Sequence, residues 1–183
     1  MQDNRTFNLV LTGLFTALVM VTTMIIRIPM PLTNGYVHLG DTTIYLAVLI
    51  LGKKRGSIAA GTGSALADLF SGYAHYVPWT FVIKSLMALV MGLALDGLKK
   101  RGKHKQSSRL HLYELPAMTL AGLEMTAGYF LAAGIMYGNW LTALTSVPGN
   151  IAQFTVGMLI AWTLAGALEA TPISASIRGR SLD

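Results

Sequence analysis

Long apolar segments separated by short basic loops constrain this chain more than any other feature. Residues 7–28 form an apolar run of 22 residues, which is long enough to cross the hydrocarbon core of a bilayer as one helix. The run ends in Arg27 and two prolines and has no small-residue cleavage site, so it is interpreted as a membrane helix rather than a secretory signal. With 53% apolar and 12% charged residues, the composition is typical of a polytopic membrane protein.

Further apolar segments predict an all-α membrane protein with six transmembrane helices. Pro29 and Pro31 end the first helix and begin an extended loop that reaches Gly40. The second segment has only 11 residues, so it crosses the membrane only if it begins inside that loop or if the protein is thin at this point. The predicted helices cover about residues 7–28, 41–52, 56–71, 79–98, 115–137 and 150–168, within a single domain of residues 1–183.

The distribution of basic residues predicts the orientation of these helices. If the N-terminus is cytoplasmic, twelve of the 14 lysines and arginines fall in inner loops or at the termini, and only Arg27 and Lys84 do not. Because cytoplasmic loops carry the basic excess, both termini are expected inside and the helix count is expected to be even. The net charge of +6 is therefore a topology signal, which predicts contact with anionic lipid headgroups and no nucleic-acid partner.

In this topology the unusual polar and aromatic residues collect at the outer side. Aromatic rings, amides and imidazoles together suit a small, flat, polar organic molecule. These residues are Tyr36, His38, Asp41, Asp68, Tyr73, His75, Tyr76, Trp79, Tyr137, Asn139, Trp140, Asn150 and Gln153. Polar groups in a bilayer are expensive, so a sequence that keeps several of them together predicts a binding pocket.

Several of these residues also have purely structural interpretations. Tyrosine and tryptophan anchor helices at membrane interfaces whatever the function. Asp68 and Lys84 lie near the outer ends of consecutive helices, so they form either an ion pair with each other or substrate contacts. Arg27 is interpreted as snorkelling to the headgroups, and Asp41 either caps the second helix or faces the pocket.

Two further sites on the later helices are candidates for the pocket. Asn150 and Gln153 are three residues apart, so they share a face of the sixth helix, where two amides can hydrogen-bond a heterocycle. Glu124 lies near the middle of the fifth helix. A carboxyl group there is expected to be protonated or partnered, either in a structural hydrogen bond or at the pocket floor.

The sequence gives little support to an enzyme, or to a transporter or channel that works without partner subunits. There are no cysteines, no H-E-x-x-H motif and no nucleotide-binding loop, so neither a catalytic site, a metal nor a cofactor is predicted. A secondary transporter or channel usually shows repeats or a continuous polar path. Here the polar residues become sparse towards the inside, apart from Glu124 and Asp96.

Three motifs resemble one family of membrane proteins. Residues 36–41 read YVHLGD, residues 63–73 read GSALADLFSGY, and residues 78–84 read PWTFVIK. The chain is similar to the substrate-binding S components of energy-coupling factor (ECF) vitamin transporters. Within them it resembles the riboflavin-type group that includes hydroxymethylpyrimidine and pyridoxine carriers. The motifs lie in the first hundred residues, and the later half matches only in length and general character.

The resemblance implies a six-helix protein of the prokaryotic plasma membrane that captures a vitamin or precursor from outside. It would deliver this substrate through a transmembrane T component and two cytosolic ATPases, which supply all ATP hydrolysis in an ABC-type importer. The family's Ala-x-x-x-Ala contact for the T component corresponds to Gly13 and Ala17 in this sequence. The family's gate corresponds to residues 29–40, whose prolines and glycines suit a hinged lid.

The resemblance and the residue types together favour hydroxymethylpyrimidine or pyridoxine as the substrate. Pantothenate would need a cation, thiamine a carboxylate with aromatic stacking, and riboflavin is a further alternative. A neutral pyrimidine or pyridine alcohol needs ring surfaces with donors and acceptors. The expected substrate-binding residues are Tyr36, His38, Asp41, Asp68, Tyr73, His75, Trp79, Lys84, Glu124, Asn150 and Gln153.

Overall fold

A computed structural model describes residues 2–30, 32, 35–100, 112 and 114–169 of the chain. The elements in chain order are α1 Gln2–Ile25, β1 Arg27–Met30, β2 Gly35–His38, α2 Gly40–Phe70, α3 Val77–Lys100, α4 Glu114–Tyr137, α5 Trp140–Leu144 and α6 Ser146–Glu169. Most of the predicted basic inner loop, the polar C-terminal tail, and residues 31, 33 and 34 of the predicted gate lie outside the described residues.

The predicted extended loop after the first helix forms a β-hairpin. Helix α1 ends at Ile25, three residues before the expected boundary, and β1 pairs antiparallel with β2 so that Arg27 faces His38 and Met30 faces Gly35. A proline disfavours helical geometry in the residue before it, which explains why the helix does not continue to Pro29. Proline also lacks an N–H, which a two-stranded ribbon tolerates because both strands are edges. The described fold is therefore helical with one added hairpin.

Helix α2 is bent at Gly52, where two helical halves meet. Gly52 has φ +76° and ψ 174°, a conformation that favours glycine because it has no Cβ. A Cβ on Gly56 would lie 3.0 Å from the Cα of Val48, eight residues earlier. In a straight helix those residues would be about 12 Å apart along the axis. The two halves therefore fold back against each other, and the separate helices predicted on either side of residue 52 are joined by a sharp turn.

Four helical segments are long and apolar enough to cross a membrane, judged by length and composition. They are Arg5–Ile25, Val77–Lys100, Glu114–Tyr137 and Trp140–Leu168. Helix α2 is not among them, because the basic residues Lys53, Lys54 and Arg55 lie near its middle, so that no stretch of bilayer length within it avoids them. The predicted count of six spans is therefore reached only if each half of α2 also crosses the membrane.

Glycines allow the helices to approach each other closely at several crossings. A Cβ on Gly63 would lie 2.5 Å from the carbonyl oxygen of Thr16 on α1, and a Cβ on Gly122 would lie 2.3 Å from the ring of Phe154 on α6. Close backbone packing of small residues is how helices associate in lipid, where apolar burial alone gives little drive. The buried core between α2, α3, α4 and α6 is rich in methionine, including Met87, Met91 and Met125.

Candidate functional site

A polar cavity lies beneath the β-hairpin, between α2, α3, α4 and α6. Its empty volume is about 450 Å³, part of it open to solvent. The hairpin forms one wall, and the helix ends next to the hairpin form the others. The lining residues are Met30, Gly35, Tyr36, His38, Asp68, Tyr76, Thr80, Tyr129, Ala133, Ser146, Asn150 and Gln153. This mixture of apolar and polar surface suits a small organic molecule.

Asp68 is the acidic group of the cavity wall. The hydroxyl of Tyr36 donates to Asp68 Oδ1 at 2.6 Å, and the Thr80 hydroxyl also hydrogen-bonds the carboxylate. Thr80 in turn accepts from the hydroxyl of Tyr129 at 3.2 Å. Burial and the neighbouring carboxylate raise the pKa of Tyr36, so its hydroxyl stays protonated as the donor. Asp68 is thus held in place by neutral hydroxyls, and a carboxylate has further lone pairs for a ligand.

Lys84 forms its ion pair with Asp41 and not with Asp68. The ammonium of Lys84 donates to Asp41 Oδ1, and both side chains are 0% exposed. Lys84 also contacts the sulfur of Met125 at 2.7 Å and lies 5.5 Å from the centre of the Tyr129 ring. The predicted alternative of an Asp68–Lys84 pair is therefore wrong: within the described residues these two groups form no salt bridge.

Both carboxylate oxygens of Asp41 likewise bind groups of the protein itself. Its second carboxylate oxygen accepts from Gln153 Nε2 at 2.8 Å, and Leu39, not Asp41, is the N-cap residue of α2. The interpretation of Asp41 as a helix cap is wrong, because the carboxylate points into the bundle to neutralise Lys84. A buried lysine without such a partner would be strongly destabilising.

Gln153 connects this ion pair to the hairpin. Its Oε1 accepts from the backbone N–H of His38 at 2.9 Å, while its Nε2 binds Asp41. The backbone N–H of Gly40 donates to His38 Nδ1 at 3.0 Å. With Nδ1 accepting, the neutral imidazole carries its proton on Nε2, so His38 is a hydrogen-bond donor at the cavity wall.

Burial determines the charge state of His38. The buried site, with the positive charge of Lys84 nearby, lowers the pKa of His38 to about 3, although Asp41 opposes the shift. A low pKa keeps the imidazole neutral throughout the physiological range. The donor arrangement at this wall is therefore independent of pH between about 5 and 8.

We expect His38 to make the protein less stable as the pH falls below about 6.5. Between the unfolded pKa of 6.5 and the folded value of about 3, the unfolded chain binds a proton that the folded chain does not. The free energy of unfolding should then fall by roughly 1 kcal/mol per pH unit from this residue. Thermal unfolding of the wild type and of His38→Gln at pH 7.5 and 5.0 measures the effect. The wild type should lose more stability than the variant, and an equal loss in both would contradict the assignment.

Asn150 brings an unused donor to the same cavity. Its side chain is 3% exposed, and its Nδ2 has no hydrogen-bond partner among the described residues. A buried amide N–H₂ without a partner costs free energy. A ligand acceptor that reached Asn150 would remove that cost.

The other predicted pocket residues lie around the cavity or away from it. Tyr73 packs on Tyr36 with ring centres 4.7 Å apart, and exposed His75 packs on Tyr76 at 4.8 Å. Trp79 packs against the core cluster, outside the cavity lining. Glu124 on α4 also does not line the cavity, and its Oε2 has no hydrogen-bond partner within the described part of the chain.

The cavity also contains residues that were not among the expected substrate-binding residues. Thr80 belongs to the motif at residues 78–84, and Tyr76 was placed at the outer side, so both carried a local signal. Tyr129 and Ser146 lie in the later half, where no motif identified them. The one local sign at Tyr129 is a polar hydroxyl within an apolar helix.

The fold and the site are those of a helical membrane protein with a polar cavity between its helices that can hold a small molecule. Residues 3–170 match the model of the family described as ECF-type riboflavin transporter, S component, and the chain belongs to that family. It is a multi-pass protein of the cell membrane and a subunit of a vitamin transporter, in a family of transport proteins rather than enzymes.

Two relatives illustrate the similarity. The chain is 30% identical over 175 residues to the thiamine precursor transporter HmpT of Lactococcus lactis subsp. cremoris strain MG1363, covering 94% of this chain and 95% of that protein. It is 34% identical over 142 residues to an uncharacterized protein in the gap 3′ region of Pyrococcus woesei, covering 78% of this chain and 88% of that protein.

Proposed function

We propose that this chain captures hydroxymethylpyrimidine, with pyridoxine as the second candidate, in the cavity beneath the hairpin. It then delivers the substrate through a transmembrane T component and two cytosolic ATPases. In this proposal the cavity opens to the outside, both termini are cytoplasmic, and the two halves of α2 complete six spans. The name of the Lactococcus relative, a thiamine precursor transporter, supports a substrate of this kind.

One observation carries the choice of substrate: Asp68 and Asn150 line the same cavity with unused hydrogen-bonding capacity of opposite kind. Asp68 accepts from two hydroxyls and has no cationic partner within the described residues, and Asn150 Nδ2 is an unused donor. An aminopyrimidine presents an exocyclic N–H₂ donor beside ring-nitrogen acceptors. It can therefore donate to Asp68 and accept from Asn150, with the Nε2–H of His38 as a further donor.

The flat faces of such a ring also match the cavity. Tyr36, Tyr76 and Tyr129 line it and offer aromatic surface for an offset stack. The hydroxymethyl group of either candidate can donate to Ser146, whose hydroxyl itself donates to the carbonyl oxygen of Ala143 at 2.8 Å and keeps acceptor capacity at the cavity. Pyridoxine offers hydroxyl donors to Asp68 but no amino group, which makes it the second candidate.

An anionic vitamin fits this cavity poorly. Neither Lys84 nor Arg27 is among the described lining residues. The ammonium of Lys84 is directed to Asp41, Met125 and the ring of Tyr129, and the guanidinium of Arg27 lies 5.8 Å from the centre of the Tyr36 ring. Asp68 would repel a carboxylate in the cavity. Pantothenate is therefore not expected to bind.

Isothermal titration calorimetry of the purified protein in detergent tests the proposal. Trp79 and Trp140 do not line the cavity, so heat is a more direct readout than tryptophan fluorescence. We expect one-to-one binding of hydroxymethylpyrimidine, weaker binding of pyridoxine, and no heat from pantothenate. Tight binding of pantothenate, thiamine or riboflavin in place of the first two would overturn the substrate assignment.

Replacing Asp68 by asparagine should weaken binding of hydroxymethylpyrimidine by about 10- to 100-fold, the usual range for losing a hydrogen bond to a charged group. The amide is isosteric, so it leaves the shape of the cavity intact while one of its two sites becomes a donor. Asp96→Asn is the matched control, since Asp96 is 46% exposed and pairs with Lys53 far along α3. It should change the affinity by less than about twofold. Equal effects of the two variants would contradict a substrate contact at Asp68.

The outer face of α1 supports the proposed docking on a T component. Gly13 and Ala17 are both exposed, and a Cβ added at Gly13 would meet nothing within 4 Å. Large apolar side chains surround them, including Leu9, Leu14 and Leu18, which are 73%, 52% and 40% exposed in the isolated chain. Small residues four apart on an apolar face permit close packing of a partner helix.

A further inference from the structure

We propose that Gln153 is a positioning residue that holds β2 closed over the cavity and thereby slows ligand release. Its orientation is determined by the buried Asp41–Lys84 ion pair. The part of this inference that concerns ligand release rests on the proposed function. The part that concerns the hairpin can be tested in the protein without any ligand.

The ion pair leaves Gln153 only one useful orientation. Asp41 is an acceptor, because its charge neutralises Lys84, so the N–H₂ end of the Gln153 amide must face it. The carbonyl end then faces the backbone N–H of His38 at 2.9 Å. If the amide were flipped, an oxygen would face a carboxylate and an N–H₂ would face an N–H. Both hydrogen bonds would be lost, so the charge in the core determines how the hairpin is held.

The polar atoms of Gln153 are already used inside the protein. Its side chain is 5% exposed, one Nε2 hydrogen goes to Asp41, and the nitrogen also lies 3.7 Å from the sulfur of Met125. Although Gln153 lines the cavity, it has little left to offer a ligand. Gln153 differs in this respect from Asn150, one turn earlier on α6, whose Nδ2 has no partner among the described residues.

The hydrogen bond to His38 joins two parts of the chain that are 115 residues apart. It attaches β2 to α6, whereas the Tyr36–Asp68 bond attaches β2 to α2. Met30, Gly35, Tyr36 and His38 form the hairpin wall of the cavity, so movement of that wall widens the way out for a ligand beneath them. Losing one of the two attachments should make that movement more frequent.

Hydrogen–deuterium exchange of the ligand-free protein in detergent tests the attachment. Gln153→Glu places two carboxylates together, Asp41→Asn leaves Lys84 unpaired, and Gln153→Met removes both hydrogen bonds without adding charge. Each should speed exchange at the His38 amide by at least about tenfold. The double variant D41N/Q153E restores the charge balance and one amide–carboxylate bond, so exchange should return to within about threefold of the wild type. Asn139→Asp, on exposed Asn139 at the start of α5, is the matched control and should have no effect.

The same set of variants then tests ligand release with hydroxymethylpyrimidine as the probe. The single variants should raise the dissociation rate about tenfold or more, with a smaller change in the association rate, and the double variant should recover. No rescue in D41N/Q153E, or unchanged exchange at His38 in Gln153→Met, would overturn the inference. If the single variants do not fold, hydrogen–deuterium exchange of the wild type alone tests the attachment. Its His38 amide must then exchange more slowly than the other hairpin amides. Absence of ligand binding by the wild type, with the exchange results as expected, would overturn the proposed function and the release step while retaining the attachment.

Discussion

Replacing Lys84 by methionine should destabilise the folded protein by about 3–5 kcal/mol, the usual cost of leaving one member of a buried ion pair without its partner. Lys84 and Asp41 are both 0% exposed, so water cannot solvate the carboxylate that remains. Methionine has nearly the volume of the lysine stem, which limits the contribution of a cavity. Thermal unfolding in detergent, followed by circular dichroism, measures the loss.

A rescue variant separates charge from packing in this prediction. Lys84→Met combined with Asp41→Asn removes both charges, keeps an acceptor near Gln153, and should recover most of the lost stability. Lys53→Met is the matched control, because the Lys53–Asp96 pair is 35% and 46% exposed and should contribute less than about 1 kcal/mol. If Lys84→Met and Lys53→Met were equally mild, the buried pair would not hold the core together as described.

A large effect is also expected on docking to the T component, without an effect on substrate binding. Gly13→Leu should reduce vitamin uptake by the assembled transporter by at least about tenfold, since overpacking a close helix contact costs about 1–3 kcal/mol. The affinity of the isolated chain for hydroxymethylpyrimidine should change by less than about twofold, because an added side chain meets nothing of this chain within 4 Å. Uptake in cells that express the partner subunits, compared with calorimetry on the purified variant, measures both quantities.

Two controls define what the docking result means. Gly13→Ala adds one methyl group and should keep most of the uptake, since alanine still permits close helix packing. Gly97→Leu adds the same side chain on α3, where a Cβ also meets nothing within 4 Å, and should leave uptake intact. Loss of ligand binding in Gly13→Leu, or full uptake by that variant, would contradict a docking role for this face of α1.

The candidate site was only partly accessible from the sequence. Tyr36, His38, Asp68, Asn150 and Gln153 were predicted at the pocket, and all five line the cavity. Their polarity in an apolar chain is a local property, so it could be read from composition and position. The roles of these residues, in contrast, depend on partners that are distant in the chain. Gln153 was expected to bind the substrate, yet its amide is held between Asp41 and the His38 backbone.

The sequence by itself determined the features that depend on neighbouring residues along the chain. Apolar runs of bilayer length, the proline stop after α1 and the small-residue composition of α2 follow from hydropathy and backbone sterics. The tertiary structure alone decided that Lys84 pairs with Asp41, that the first loop is a hairpin, and that α2 folds back at Gly52. Ion pairs and strand pairs depend on distances in space between residues far apart in the chain, and hydropathy carries no information about those distances.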